Sequence, residues 1–194
     1  MNATVGVLAL QGAFAAHTEC LRSIGVHTLE VRSVEDLGLV DSLLMPGGES
    51  STMSHLLLTS GLFGAVGERI ESGMPVFGTC AGMILLAAEI LDGRPDQVNF
   101  AAIDISVRRN AFGRQVDSFE SDITTPFGSF HGVFIRAPRI ERVGPDVEVV
   151  GRLGDEPVLV RQGNVLAASF HPELTDNADV HRFFVEEMTT AGKA

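Results

Sequence analysis

The first half of the chain alternates short, wholly apolar runs with longer stretches in which apolar residues recur every three or four positions. Residues 5–10 are continuously apolar up to Gln11-Gly12, and residues 13–24 follow with helical spacing. Residues 26–31 read as a second strand and 43–45 as a third, stopped by Pro46-Gly47-Gly48. A helix capped by Ser50 or Ser51 is expected to run through Leu58, and another covers 62–70. Residues 75–78 form a fourth strand that feeds a helix beginning near Ala81 and carrying the apolar run 83–88. Strands that are apolar throughout, separated by helices, predict a parallel sheet covered on both faces.

The second half changes character. Residues 103–107, 118–123, 132–135, 147–150, 158–162 and 165–169 are short strand-like segments with little helix between them, and Arg161-Gln162-Gly163-Asn164 suits a hairpin turn. These strands are expected to extend the edge of the sheet in mixed or antiparallel fashion. A closing helix over 178–188 carries Val180, Phe183, Phe184 and Met188 at helical spacing. With no repeat, low-complexity tract or linker, the pattern predicts one α/β domain over 1–194: a three-layer, mostly parallel central sheet flanked by helices.

Composition narrows the picture a little. A net charge of −11 argues against non-specific binding to nucleic acid or anionic lipid. No apolar run reaches the roughly 18 residues of a membrane-spanning helix. Met1-Asn2-Ala3-Thr4 has no basic leader character, and Cys20 and Cys80 lie far apart, so a cytoplasmic protein without a disulfide framework is expected.

The candidate chemistry lies at strand ends. Val76-Phe77-Gly78-Thr79-Cys80-Ala81-Gly82 is a short strand running through Gly-x-Cys-x-Gly into a helix, the cysteine form of a nucleophile elbow. Such a turn exposes the sulfur at the top of a sheet, facing helix N–H groups that favour a thiolate and can hold an oxyanion. His171-Pro172-Glu173 follows another buried strand. Pro172 keeps His171 out of the helical region, so an extended segment would set Glu173 beside the imidazole and turn the other ring nitrogen toward sulfur. Gly47-Gly48 could present backbone N–H groups, which with that of Ala81 would form an oxyanion hole. Ligands of such sheets bind beyond the carboxyl ends of the strands, so Gln11, Gly47-Gly48 and Cys80 should meet on one rim.

Each motif alone has a plainer reading. Gly-x-Cys-x-Gly also suits a tight turn around a small buried cysteine, His-Pro-Glu a surface turn, and Pro-Gly-Gly a glycine-rich loop. The combination favours chemistry. Cys20, on an amphipathic helix, reads as core filler; His17, His55 and His181 read as solvated or partly buried helix residues, and His131 as a loop residue outside the site. No Cys or His pair has metal-ligand spacing, so neither metal nor cofactor is expected.

Taken together, these segments resemble the triad glutamine amidotransferases. The match narrows to the glutaminase subunits of pyridoxal 5'-phosphate synthase through Leu8-Ala9-Leu10-Gln11-Gly12, Pro46-Gly47-Gly48-Glu49-Ser50, Arg109-Asn110-Ala111-Phe112-Gly113-Arg114-Gln115, Gly132-Val133-Phe134-Ile135-Arg136-Ala137-Pro138 and Ser169-Phe170-His171-Pro172-Glu173. Ser51, where that family has threonine, and Asn99-Phe100 depart from its pattern. The resemblance implies hydrolysis of L-glutamine by Cys80, His171 and Glu173. It also implies a glutamine site of Gly47, Gly48, Glu49, Arg109, Ile135 and Arg136, and an oxyanion hole at Gly48 and Ala81. It further implies a (β/α)₈-barrel synthase subunit that receives the ammonia, with Gln11 near the contact and the Gly47-Gly48 peptide reoriented on binding. A glutaminase serving another acceptor, a different cysteine hydrolase and a non-catalytic binding module are the competing classes.

Overall fold

The computed structural model describes residues 3–109 and 118–189. Its backbone is a nine-stranded sheet with helices on both faces, plus a separate three-stranded sheet. The first strands, β1 (Thr4–Leu8), β2 (His27–Val31), β3 (Ser42–Met45) and β4 (Val76–Thr79), are joined by helices α1 (Phe14–Ser23), α2 (Val34–Leu37), α3 (Ser50–Thr59) and α4 (Leu62–Glu71). All four strands pair in parallel, and β1, β3 and β4 are buried along nearly their whole length.

The chain then makes α5 (Ala81–Leu86), β5 (Ala87–Ile90), β6 (Ile103–Arg108), β7 (Phe119–Thr125), β8 (Gly128–Phe134), β9 (Arg139–Val143), β10 (Glu148–Leu153), β11 (Glu156–Gln162) and β12 (Val165–Ala168), and closes with α6 (Asp179–Phe184). The order across the large sheet is β2-β1-β3-β4-β12-β11-β10-β7-β8. Strand β12 joins β4 in parallel, whereas β11, β10, β7 and β8 follow antiparallel. The expected hairpin turn connects β11 to β12, with Gly163 at φ 54°.

Side chains alternate between the two faces along each parallel strand. On β3, Leu43 and Met45 join one core with Met53, Leu57 and Val66 from α3 and α4, while Leu44 joins the other with Leu21 and Phe184 from α1 and α6. Helices α1 and α6 therefore cover one face and α2 to α5 the other, giving the three layers expected. Among the described residues, no helix is long and apolar enough to cross a membrane.

Three elements differ from the sequence reading. The helix after Cys80 stops at Leu86, and Ala87 pairs with Ile103 instead of continuing it. Strands β5, β6 and β9 form their own sheet, so residues 103–107 do not extend the edge of the main one. The closing helix widens after Phe184 into a π-helical turn, Val185–Thr189.

Candidate active site

Strands β1, β3, β4 and β12 end on the same rim, and the loops beyond them carry Gln11, Gly47-Gly48, Cys80 and His171. Cys80 sits at φ 49° and ψ −101°, a backbone region disfavoured for a residue with a β-carbon, and its N–H donates to Ala168 O of β12 at 2.8 Å. The flanking glycines serve close approach. A β-carbon on Gly82 would lie 2.2 Å from Met45 O, and one on Gly78 would lie 2.6 Å from the backbone of Gly82. The sulfur is thus presented by a turn that only this spacing of glycines allows.

His171 follows β12 and is anchored by its N–H to Val133 O of β8 at 2.8 Å. Its ring lies beside Cys80 in the pocket that both line, and its Nδ1 lies 2.8 Å from Glu173 Oε1. Glu173 does not arrive by an extended segment, as the sequence suggested. Pro172–Leu174 is a 3₁₀ turn, and that turn folds the carboxylate back beneath the ring. Burial pulls the His171 imidazole down, but interactions with Cys80 and Glu173 outweigh it and push it up to about 10. An imidazolium therefore stands beside the sulfur at neutral pH.

Gly48, Glu49, Cys80, Arg109, Ile135, Arg136 and His171 line one pocket. Gly47 is buried behind it, against Cys80 and His171. Its carbonyl accepts from Ala13 N–H at 3.0 Å, and a trans peptide turns the Gly48 N–H to the opposite side. Gln11 abuts this loop, its Oε1 accepting from Glu49 N–H at 3.1 Å. Ala81 is the first residue of α5 and is buried.

The cap of α3 is Glu49, neither Ser50 nor Ser51: its carboxylate accepts from Ser51 N–H at 3.1 Å and Thr52 N–H at 2.7 Å. Burial opposes ionisation there, but hydrogen bonds from Thr52 and Ser51 prevail and hold the carboxyl down at about 2. Arg109 is held by its N–H to Asp92 Oδ1 at 2.8 Å, and its Nη1 meets Ser51 Oγ at 3.1 Å and Gln97 Oε1 at 3.0 Å. Ser51 is thus integrated where it departs from the resembled family. Asn99 is too, donating to Ala87 O at 2.7 Å. Asn110 to Gln115, the remainder of that arginine motif, lie outside the described residues.

Sequence reasoning misplaced two histidines and a cysteine. His17 and His181 are wholly buried, and His17 Nε2 lies 3.2 Å from Glu173 Oε2. Cys20 is not core filler: it is partly exposed and meets His181 Nδ1 at 3.2 Å. One signal was available, since His17 lies one turn before Leu21 on the apolar face of α1. His131 is an exposed residue of β8 between Glu120 and Asp122, and no group of three metal-ligating side chains converges among the described residues.

The model of the SNO glutamine amidotransferase family matches residues 7–190. The chain belongs to that family. Among similar proteins is the pyridoxal 5'-phosphate synthase subunit PdxT of Mycobacteroides abscessus, 56% identical over 194 residues, which cover 99% of this chain and 100% of the relative. A same-named subunit from Thermus thermophilus is 55% identical over 188 residues, covering 96% of this chain and 98% of the relative. A crystal structure of a glutamine amidotransferase superposes with a TM-score of 0.90 at 53% identity, covering 95% of this chain and 98% of that one. A structure of PurLQS from Thermotoga maritima, at 15% identity and a TM-score of 0.67 over 96% and 99% of the chains, shares the fold. The enzyme is thus a glutaminase of the SNO family, built on the amidotransferase α/β fold.

Proposed function

We propose that the protein releases ammonia from L-glutamine through Cys80, His171 and Glu173 and delivers it to a synthase subunit that makes pyridoxal 5'-phosphate. Hydrolysis of glutamine to supply that synthesis accords with the family and with the PdxT relatives. The single observation that supports the residue roles is the convergence of Cys80 and His171 on one pocket, with Glu173 bonded to the imidazole at 2.8 Å.

In this reading the Cys80 sulfur attacks the side-chain amide carbon, and the oxyanion gathers donors from Gly48 and Ala81. Losing one such donor typically costs about 3 kcal/mol of barrier. The imidazolium of His171 protonates the departing ammonia, then as a neutral base takes a proton from the water that releases glutamate from the thioester. Glu173 holds His171 in the required orientation. Arg109 offers a fork to the substrate carboxylate, the ionised Glu49 offsets its ammonium, and Gly47, Ile135 and Arg136 complete the wall.

The partner is a (β/α)₈-barrel subunit. Gln11 is the lever by which it acts: the side chain is bonded to the loop that carries Gly48, so contact there tunes the Gly47-Gly48 peptide. The test is glutamate release from glutamine with and without the synthase subunit, together with labelling of Cys80 by an electrophilic glutamine analogue. The expected result is labelling at Cys80, faster turnover with the partner, and none in Cys80→Ser. Equal turnover with and without partner removes the lever, and full activity in Cys80→Ser removes the mechanism.

A further inference from the structure

Behind the triad, a line of buried polar groups runs away from the pocket and ends on the outer face of α1. Glu173 uses Oε1 for His171, and among the described residues its buried Oε2 has no well-aligned hydrogen-bond donor. The nearest is His17 Nε2, at 3.2 Å, a nitrogen that also meets Thr79 Oγ1 at 3.1 Å. On its other side His17 Nδ1 lies 2.8 Å from His181 Nε2, and His181 Nδ1 lies 3.2 Å from Cys20 Sγ. Three separate elements, α1, α6 and the turn after β12, converge to build this line.

With neutral rings two proton placements satisfy the contacts among His17, His181, Thr79 and Cys20, and only one of them also offers Glu173 Oε2 a proton. A carboxylate can only accept, so His17 must carry its proton on Nε2. Its Nδ1 is then a lone pair and needs the Nε2–H of His181. The Nδ1 of His181 is a lone pair in turn and needs the S–H of Cys20. In this arrangement a proton added to His17 Nδ1 would face the Nε2–H of His181, and a charged His181 would be a buried cation with no carboxylate beside it. The surroundings agree. Burial, with His181 and His171 nearby, holds His17 well below its ordinary range, and burial holds His181 down at about 4. Burial and the Glu173 charge push the Cys20 thiol up to about 11, so it keeps the proton it donates.

We propose that His17 is a positioning residue for glutamine hydrolysis, whose Nε2–H, aimed by His181 and Cys20, fixes the Glu173 carboxylate so that Oε1 stays on His171. The proposal rests on the triad assignment above. Glu173 sits on a single 3₁₀ turn and its side chain has three rotatable bonds, so a hold on the second oxygen narrows the orientations in which Oε1 meets His171. Thr79, immediately before the nucleophile, shares the same His17 proton, so one imidazole touches both the orienting acid and the strand that delivers Cys80.

Two measurements test it. Nitrogen-15 NMR of the imidazoles in the full-length wild-type chain should find His17 and His181 neutral and protonated on Nε2 near pH 7. An Nδ1–H tautomer or an imidazolium at His17 overturns the proposal. In kinetics with the synthase subunit present, His17→Leu should lower kcat by about tenfold to a hundredfold with KM for glutamine unchanged, a size typical of lost support behind a functional group. His17→Gln keeps a donor near the Nε2 position and should recover most of that loss. A folded His17→Leu with wild-type kcat, or a Gln variant as impaired as Leu, refutes the role. Because the tautomer reading needs no turnover, it also separates failure of this proposal from failure of the triad itself, and it decides the matter if His17→Leu does not fold.

Discussion

Gly47 and His171 touch so closely that a β-carbon on the glycine would lie 2.4 Å from His171 Cε1 and 3.3 Å from Cys80 Cβ. The absence of a side chain at Gly47 is therefore what lets the imidazole lie over the sulfur. Gly47→Ala should displace the ring without unfolding the sheet, lowering kcat by about a hundredfold or more, as angstrom-scale misplacement does. Glutaminase rates read beside thermal midpoints check this; a wild-type rate would mean that the imidazole has room to spare.

Glycines elsewhere should respond in opposite senses. Gly82→Ala drives a β-carbon to within 2.2 Å of Met45 O, a backbone atom that cannot turn aside, and should destabilise by about 3 kcal/mol. Gly64 is exposed within α4 and has open space around it, so Gly64→Ala should stabilise by about 0.5–1 kcal/mol through helix propensity. Urea unfolding of the two variants gives both signs in one experiment.

The buried histidines set the pH dependence of stability. His181 titrates at about 4 in the folded chain against 6.5 unfolded, because burial disfavours its charge. As pH falls through this interval the unfolded chain takes up a proton that the folded chain refuses, so stability drops and levels off below about 4. At roughly 1.4 kcal/mol per unit, the loss is on the order of 3 kcal/mol. His17, lowered by burial and by its histidine neighbours, acts in the same direction. His171 acts in the other: raised to about 10, it contributes stability that is complete below 6.5 and is lost as pH rises toward 10. Unfolding free energy should peak near pH 6.5, and His181→Gln should flatten the acid side only. A profile unchanged by that substitution would contradict the assignment.

Arg109 makes two contacts through one nitrogen of its guanidinium, with Ser51 and Gln97, while another nitrogen stands 3.7 Å from Glu49. An ammonium cannot keep that set and still face a substrate carboxylate. Arg109→Lys should raise KM for glutamine about tenfold, the cost of one charge-assisted hydrogen bond, with a smaller change in kcat. Steady-state kinetics with the partner present decide it, and an unchanged KM would take Arg109 out of the glutamine site.

The strained backbone at Cys80 has its own signature. With φ at 49°, glycine relaxes this position and alanine does not, so Cys80→Gly should be more stable than Cys80→Ala by about 1 kcal/mol or more. Calorimetry of the two variants measures the difference.

Much of this architecture is legible in the chain because local chemistry encodes it. Strands β1, β3 and β4 announce themselves by largely apolar runs, and Gly78, Cys80 and Gly82 encode a turn within five residues of sequence. The β5-β6-β9 sheet was hidden for the opposite reason. Strand β9 carries Arg139, Glu141 and Arg142, so it has no apolar run, and the partner that makes β5 a strand lies across a long loop. His17 looked like a surface helix residue since its burial depends on α6, more than 160 positions away, as the His17–His181 contact shows. The capping role of Glu49 was obscured by two serines that are better caps on average but stand one and two residues too late.

Strand β12 is the middle of the nine-stranded sheet yet follows all its other strands in chain order. Until residue 168 has left the ribosome, β4 and β11 each lack a neighbour, and the nascent polypeptide holds the sulfur without its imidazole. Under the proposed roles, then, synthesis yields no half-working amidase that could squander glutamine: the pairing of sulfur with imidazole waits on the same stretch of chain that closes the hydrogen-bond ladder.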